Sequence, residues 1–242
     1  MTFHRNSKET KMVVLDPRKD AEAVFDVLDK GGVAIVPLDV AYAVFGGCGD
    51  AIKNIFTAKG RSFSKPNGMM ADYEIFSELH IVGERERTLV RAVTEDYGLP
   101  LSVVAPFRAD HPIFASVDEF TMERSTKIGT LDLLLNAGPL HKAITELSRQ
   151  RMRPVLGSSA NRSLTGSKYR LQDVDREVRD IAAIEVDYGL SRYANPEGIS
   201  STIIDLKSFQ VHRYGVCFEQ IADILNRHFQ IELPARPAPV AA

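Results

Sequence analysis

Three cationic side chains, Lys59, Arg61 and Lys65, lie close together in the chain. Cations at this spacing repel one another, so they favour an anionic partner, and a phosphate or carboxylate is the natural ligand. A second interpretation is that Lys59 complements the negative end of a helix dipole while the other two are solvated surface charges. The spacing alone leaves both interpretations open.

A short amphipathic helix precedes these cations. The pattern predicts a helix from Asp50 to Gly60, with Asp50 as its cap and Gly60 as its left-handed stop. One face of this helix is apolar at helical spacing: Ile52, Ile55 and Phe56.

Further polar residues lie where other predicted strands begin or end. In an open α/β sheet the strand-end loops converge on one crevice, where ligands bind. Cations, hydroxyls and one amide at such a crevice suit a phosphate-bearing nucleotide and a small carboxylate. The polar set comprises Asp39 and Tyr42, then Ser159, Asn161 and Ser163, then Ser200, Ser201 and Thr202, and finally Arg213.

The elements that position these residues alternate between strand and helix along the whole chain. This alternation predicts the α/β class, with one main sheet in a single domain from residue 12 to residue 232. Residues 1–11 and the proline- and alanine-rich residues 233–242 are predicted to be disordered.

Several local predictions accompany this architecture. A first strand is expected at residues 11–15 and a short one at residues 155–156. Residues 107–127 read as an irregular, polar excursion, a candidate lid. Residues 202–206 and 210–213 are expected to pair as neighbouring strands.

Composition excludes several function classes. The formal net charge of -2 gives no global field for nucleic acid or an anionic membrane, so any such binding needs a local patch. No apolar run reaches membrane-spanning length and the N-terminus is polar, so we expect a cytoplasmic protein with no membrane partner. The two cysteines fit buried thiols in a reducing compartment.

Common catalytic and metal motifs are absent from the sequence. There is no GxxxxGK[ST] loop, GxGxxG, GxSxG or HExxH. The six histidines show no ligand-like spacing, so we predict no structural metal site.

The order of the polar fragments resembles the YrdC-like family of threonylcarbamoyl-AMP synthases. Each fragment is weak alone, but together and in this order they are specific, and they span residues 12–216. The fragments are Pro37-x-Asp39-x-x-Tyr42, Lys59-Gly60-Arg61, Lys65-Pro66, Ser159-Ala160-Asn161-x-Ser163, Ser201-Thr202-Ile203-Ile204-Asp205 and Arg213-x-Gly215.

The resemblance implies a YrdC-like fold, a twisted mixed sheet with flanking helices and a concave positive face. It also implies a reaction in which L-threonine, bicarbonate and ATP give threonylcarbamoyl-AMP and pyrophosphate, for modification of an adenosine in tRNA. Fixed positive donors, rather than a protein nucleophile, serve that chemistry, and a magnesium ion on the phosphates is expected. By resemblance, the catalytic residues are Lys59, Arg61, Ser159 and Asn161, and the nucleotide-binding residues are Lys65, Ser163, Ser201 and Arg213.

The amino-acid pocket departs from the family pattern. The family reads PTDTVYGL where this chain reads PLDVAYAV, so two hydroxyls are replaced by apolar side chains. A later strand, residues 130–133, lacks an arginine that the family carries. A site without its hydroxyl partners loses selectivity. The pocket would consist of Leu38, Asp39, Val40 and Tyr42, with Ala43 in place of a glycine.

Three functions therefore remain open at the level of sequence. The protein is a threonylcarbamoyl-AMP synthase, a paralogue acting on another amine or small acid, or a non-catalytic relative that binds RNA or nucleotide. The last draws on a basic set that would bind tRNA or double-stranded RNA through phosphates, although a solvated helix end explains it equally well. That set is Arg149, Arg151, Arg153, Arg162, Lys168 and Arg170.

Overall fold

The computed structural model describes residues 15–47, 49–62 and 65–238. Its strands are β1 Val33–Pro37, β2 Tyr42–Gly46, β3 Gly68–Met70, β4 Leu101–Pro106, β5 Thr126–Lys127, β6 Thr130–Leu135, β7 Leu156–Ser159, β8 Ile184–Glu185, β9 Ile203–Asp205 and β10 Val211–Arg213. Its α-helices are α1 Pro17–Asp29, α2 Gly49–Lys59, α3 Tyr73–Leu79, α4 Glu84–Arg91, α5 Glu119–Ser125, α6 Pro139–Arg151, α7 Arg176–Arg179 and α8 Phe218–Phe229.

The strands form one mixed sheet in the order β10-β9-β4-β6-β3-β7-β2-β1-β8, with β5 paired to β6. Strand β4 runs antiparallel to β6 and parallel to β9, while β3 runs parallel to β6 and antiparallel to β7. The predicted α/β class and the mixed sheet with flanking helices are confirmed. The expected pairing of β9 with β10 is also present, with an irregular register at Val211/Arg213.

Alternation along the strands divides the apolar residues between the two faces of the sheet. In β1, Val33 and Ile35 join the larger cluster, whereas Ala34 and Val36 join the smaller one. Helices α2, α3, α4 and α8 contribute to the larger cluster, and α1 and α6 contribute to the smaller one. The second face is therefore covered mainly by two helices that pack on each other.

Helix α2 confirms most of its sequence prediction. It ends at Lys59, and Gly60 follows in the left-handed conformation with φ of 55°. The predicted cap is wrong, because the helix begins at Gly49 and Asp50 instead pairs with Lys53 at 3.2 Å. The Gly49 N–H donates to the carboxylate of Asp118, a contact from another part of the chain.

Other local predictions need correction. Residues 107–127 are not irregular, since they contain a 3-10 turn at Pro112–Phe114 and helix α5, which bury Ile113 and Phe114 in the larger cluster. The strand expected at residues 155–156 is β7, which begins at Leu156 and extends to Ser159.

The domain boundaries are only partly described. Leu233 is buried against the larger cluster, and Arg236 donates to the carbonyl of Gly215, so packed structure continues beyond the predicted boundary at residue 232. The predicted lead-in, residues 1–11, lies outside the described residues, as do residues 11–14 of the first predicted strand. In the described part of the chain no helix is both long and apolar enough to span a membrane.

Candidate functional site: an anion-binding cleft on the open sheet face

A cleft of about 570 Å³ crosses the sheet from β10 to β2. Its lining includes residues of β2, β3, β4, β6, β7, β9 and β10. Its described lining residues are Leu38, Val40, Ala41, Tyr42, Ala43, Phe45, Arg61, Lys65, Pro66, Gly68, Met69, Met70, Ser102, Lys127, Asp132, Leu134, Gly157, Ser158, Ser159, Ser200, Ser201, Ile203, His212 and Arg213.

Lys59 lies behind the wall of this cleft and does not line it. The residue is 1% exposed, and its Nζ donates to the backbone carbonyl of Ser159. Burial, and next the neighbouring Arg61 charge, lower the pKa of Lys59 to about 7, against the opposing attraction of Asp175. Lys59 therefore ties the end of α2 to the end of β7, and its charge is held in a poorly solvated place.

Arg61 lines the cleft. Its Nη2 donates to the carbonyl of Pro66 at 2.7 Å and its Nε to the carbonyl of Lys65 at 3.2 Å. The guanidinium group also lies over the ring of Phe56, 5.8 Å from the centroid, and burial lowers its pKa. Arg61 thus fixes the loop that carries Lys65, which is exposed and also lines the cleft.

The turn after β7 supplies hydroxyls and one amide. Ser159 lines the cleft, and its Oγ donates to Oδ1 of Asn161, which is buried behind the wall. The Ser163 N–H donates to the Lys59 carbonyl at 2.9 Å, which joins this turn to α2. Of the predicted catalytic residues, Arg61 and Ser159 line the cleft, while Lys59 and Asn161 support it from behind.

Sequence reasoning missed Ser158 in this turn. Its Oγ is buried beside the cleft and has no hydrogen-bond partner in the described structure. Next to it, Gly157 packs so closely on the carbonyl of Val44 that a Cβ there would clash. The close approach of β7 to β2 therefore requires a glycine directly before the hydroxyl-bearing residues.

A hydrogen-bond network closes the other end of the cleft. Arg213 donates from Nε to the Ser201 carbonyl at 2.6 Å and from Nη2 to Ser201 Oγ at 2.8 Å. Ser201 Oγ lies 2.9 Å from Oγ of Ser102 on β4. The next residue but one after Arg213 must be a glycine, Gly215, because a Cβ at that position would clash with the backbone of Ser200 and Ser201. The predicted nucleotide-binding residues Ser201 and Arg213 are thus brought together, whereas Ser163 does not line the cleft.

Asp132 on β6 is a second residue that sequence reasoning did not assign to the site. It lies on the cleft floor, where burial raises its pKa to about 6, while Arg213, His212 and a hydrogen bond from Ser102 act in the opposite direction. Its Oδ1 atom is buried without a partner. The available signal was one carboxylate among the leucines of the Thr130–Leu135 strand.

The predicted amino-acid pocket divides into two kinds of residue. Leu38 and Val40 are 3% and 1% exposed, line the cleft and also belong to the smaller apolar cluster. Asp39 does not line the cleft; its carboxylate lies against Gly138 and 3.8 Å from Arg192. Burial raises the pKa of Asp39.

Tyr42 contacts the cleft, but its hydroxyl is used elsewhere. The hydroxyl donates to Oδ1 of Asp187 at 2.6 Å and lies 2.9 Å from the carbonyl of Gly189. Burial and the hydrogen bond to Asp187 raise the Tyr42 pKa. Tyr42 therefore anchors the loop that carries Asp187 and Gly189. The polar groups of Asp39 and Tyr42 contact other loops instead of the cleft.

The basic set considered for RNA binding is largely paired with carboxylates. Arg149 pairs with Asp72 at 3.3 Å, and Arg151 and Arg153 pair with Asp29 at 2.9 and 3.7 Å. Arg162 pairs with Glu177 at 3.6 Å. These pairs reduce the positive potential that phosphate-backbone binding requires.

Two histidines are buried structural groups, whereas His212 lines the cleft. His80 and His141 are buried, each with Nε2 against a backbone carbonyl, and burial lowers the pKa of each to about 4. Among the described residues no cluster of three or more histidine, cysteine, aspartate or glutamate side chains forms a metal site.

Fold and cleft together define an α/β protein with a cleft on its mixed sheet that is lined by several cations and hydroxyls. The Sua5/YciO/YrdC family profile, described as telomere recombination, matches residues 26–215. The chain belongs to this family, which confirms the resemblance inferred from its sequence fragments.

Solved structures of relatives share the fold. A hypothetical protein from Streptococcus mutans aligns with a TM-score of 0.74 at 17% identity, covering 88% of this chain and 93% of that one. Sua5 of P. abyssi complexed with L-threonine aligns with a TM-score of 0.70 at 21% identity, covering 95% of this chain and 64% of that one. E. coli YciO aligns with a TM-score of 0.60 at 18% identity, covering 83% and 91%. No curated protein matches the sequence.

Proposed function

We propose that this protein is an ATP-dependent enzyme of the threonylcarbamoyl-AMP synthase type. It would convert a small amine, bicarbonate and ATP into a carbamoyl-adenylate and pyrophosphate, with L-threonine as the first candidate amine. The observation that carries the proposal is the convergence of Arg61, Ser159 and Arg213 on one cleft. The solved complex of P. abyssi Sua5 with L-threonine supports an amino acid as a ligand.

The proposed chemistry needs charge stabilisation rather than a protein nucleophile. The amine nitrogen attacks the carbon of bicarbonate, and loss of water gives a carbamate. A carbamate oxygen then attacks the α-phosphorus of ATP, and the bond to pyrophosphate breaks. Negative charge accumulates on the carbamate, the α-phosphate and the leaving group, where fixed positive donors lower the barrier.

The cleft residues suit that demand. Arg61 and Lys65 would face the phosphates and the carbamate, Ser159 would orient them by hydrogen bonding, and Arg213 would hold the nucleotide at the other end. Lys59 and Asn161 would act from behind the wall by fixing the turn that carries Ser159. A magnesium ion would reduce the charge of the phosphates.

A second candidate is the same chemistry on another amine or small acid. The observation that favours it is the apolar character of Leu38 and Val40, which line the cleft where the family pattern has threonines. Buried apolar side chains cannot form a hydrogen bond with a substrate hydroxyl, so a less polar substrate would bind at least as well as threonine.

Pyrophosphate release from purified protein tests both candidates. We expect release from ATP only when bicarbonate and an amine are both present, and a panel of amino acids identifies the preferred amine. Activity with threonine supports the synthase, and activity with another amine alone supports the paralogue. If no amine supports release, the proposed enzymatic function is wrong; tRNA binding with a steep salt dependence would then favour a binding protein.

A further inference from the structure

Asp132 is out of keeping with the charge of its surroundings. It lies on the cleft floor in β6, between β4 and β3 of the sheet. Among the described lining residues it is the one carboxylate. The lining cations are Arg61, Lys65, Lys127 and Arg213.

A chain of hydrogen bonds leads from Arg213 to Ser102, which lines the cleft with Asp132. A guanidinium group only donates, so Ser201 Oγ accepts from Arg213 at 2.8 Å. Ser201 can then give its own proton to Ser102 Oγ, 2.9 Å away. Against the effect of burial, the Arg213 charge and Ser102 both lower the pKa of Asp132. The donors in this chain can point from Arg213 toward Ser102, which lines the cleft together with Asp132.

The chain does not neutralise Asp132. No ion pair within 4.0 Å joins Asp132 to Arg213 or to another cation of the described cleft, although Arg213 and His212 are near enough to lower its pKa. One carboxylate oxygen, Oδ1, is buried and has no partner. A buried acceptor without a partner is costly, so a ligand that supplies a positive group or a donor here would be favoured.

A bare polyphosphate in this cleft would meet a fixed carboxylate of the same sign. A divalent cation between them turns that repulsion into attraction, and Mg²⁺ is commonly held by one or two carboxylates together with substrate phosphates. The donor set present, one carboxylate outside any ion pair and several hydroxyls, fits a hard oxygen-binding cation.

We propose that Asp132 is a specificity-determining residue that makes the cleft select the divalent-cation complex of its polyphosphate ligand over the free polyphosphate. This inference rests on the proposed function in one respect, that the ligand is a nucleotide. It adds a residue and a selection rule that the family fragments do not contain.

Binding measurements test the proposal without turnover. Calorimetry would give dissociation constants of ATP and of pyrophosphate, each with Mg²⁺ or with EDTA at matched ionic strength, for wild type and Asp132→Asn. We expect wild type to prefer the Mg²⁺ complex at least tenfold and Asp132→Asn to lose most of that preference. Asp132→Ser is a second variant that removes the same charge if the asparagine variant does not fold.

Two further variants complete the test. Asp110→Asn removes one exposed negative charge outside the cleft and should retain the wild-type preference. Ser102→Ala keeps the carboxylate but removes a neighbouring hydroxyl that stabilises its charged form. The Mg²⁺ preference should therefore fall by a smaller factor than in Asp132→Asn.

Three outcomes are decisive. An unchanged Mg²⁺ preference in Asp132→Asn overturns the inference and leaves the proposed function intact. An equal loss of affinity for both ligand forms also overturns it, because Asp132 would then only position Arg213. Absence of ATP and pyrophosphate binding to wild type in every condition overturns the proposed function and this inference together.

Discussion

The cleft lining has a polar part and an apolar part, and their hydrogen-bonding groups are used differently. In the polar part of the lining, Arg61 and Ser159 lie beside α2 and β7, and Arg213 lies at the opposite end on β10. Burial lowers the pKa of both arginines. In the apolar part, formed by the loop between β1 and β2, Leu38 and Val40 line the cleft, while Asp39 and the Tyr42 hydroxyl contact other loops.

Under the proposed function, the polar part would bind the anionic groups of the ligands and the apolar part would contact the rest of the amine substrate. Burial deprives the cleft arginines of solvent, so an anionic ligand would stabilise their charge, whereas the apolar loop is already stabilised by its own packing. We therefore expect substitutions in the polar part to weaken ligand binding more than they lower stability. Substitutions in the apolar part should lower stability more than they weaken ligand binding.

The largest effect is expected at Arg61. Replacing Arg61 with alanine removes a charge-assisted donor from the cleft, so ATP affinity should fall by about 10- to 100-fold. Calorimetric titration with ATP measures it, and Arg162→Ala, which removes a surface arginine paired with Glu177, is the matched control. A large loss of thermal stability without a loss of affinity would mean that Arg61 serves mainly to fix its own loop.

Lys59→Met should stabilise the fold while abolishing turnover. The pKa of Lys59 is lowered to about 7 from 10.5, so the unfolded state binds more protons between these values and wild-type stability rises with pH across this window. Methionine removes that slope, and near pH 7 it should raise Tm by about 2–4 °C per kcal/mol gained. Thermal melts at several pH values measure the change in Tm and its pH dependence, and pyrophosphate release measures turnover.

The control for that experiment is Lys53→Met, which removes a half-exposed lysine from the same helix. It should leave the pH slope as in wild type. If Lys59→Met keeps the wild-type slope, the buried lysine is not the source of this pH dependence.

Tyr42→Phe tests the apolar part of the cleft, where the Tyr42 hydroxyl bonds to Asp187. It removes the hydrogen bond to Asp187 without changing the ring, so the free energy of unfolding should fall by about 1–2 kcal/mol. Urea denaturation measures this change, and ATP affinity should remain within about twofold of wild type. Strongly reduced ATP affinity would place the hydroxyl in ligand binding after all.

Val40→Thr restores one hydroxyl at nearly constant volume and should have the smallest effect. Burying that hydroxyl should cost about 1–2 kcal/mol of stability, while pyrophosphate release should become more responsive to threonine. Val36→Thr, a buried position of the same apolar cluster outside the cleft lining, controls for stability alone. An equal threonine response in both variants would show that Val40 does not contact the amine.

The sequence was informative where function follows local pattern. The strand–helix alternation, the left-handed Gly60 and the ordered fragments led to the α/β class and to residues that converge on one cleft. The helix cap was mispredicted because its acceptor, Asp118, is remote in sequence, and such partners depend on tertiary packing.

Asp132, Ser102 and Ser158 were not found because a polar residue in a short strand can face either side of a sheet. Only the register of β4 with β6 and β9 shows that Ser102 and Asp132 share the cleft face. Conversely, Asp39 and Tyr42 match the family fragment in sequence, but their side-chain polar groups bond to other loops.

A crystal structure of the protein with ATP, Mg²⁺ and the amine selected by the pyrophosphate screen tests the central claim most directly. The account predicts phosphate oxygens in contact with Arg61 and Ser159, the nucleotide extending toward Arg213, and the amine beside Leu38 and Val40. A nucleotide bound outside this cleft, or one whose phosphates lie against Leu38 and Val40, would contradict it.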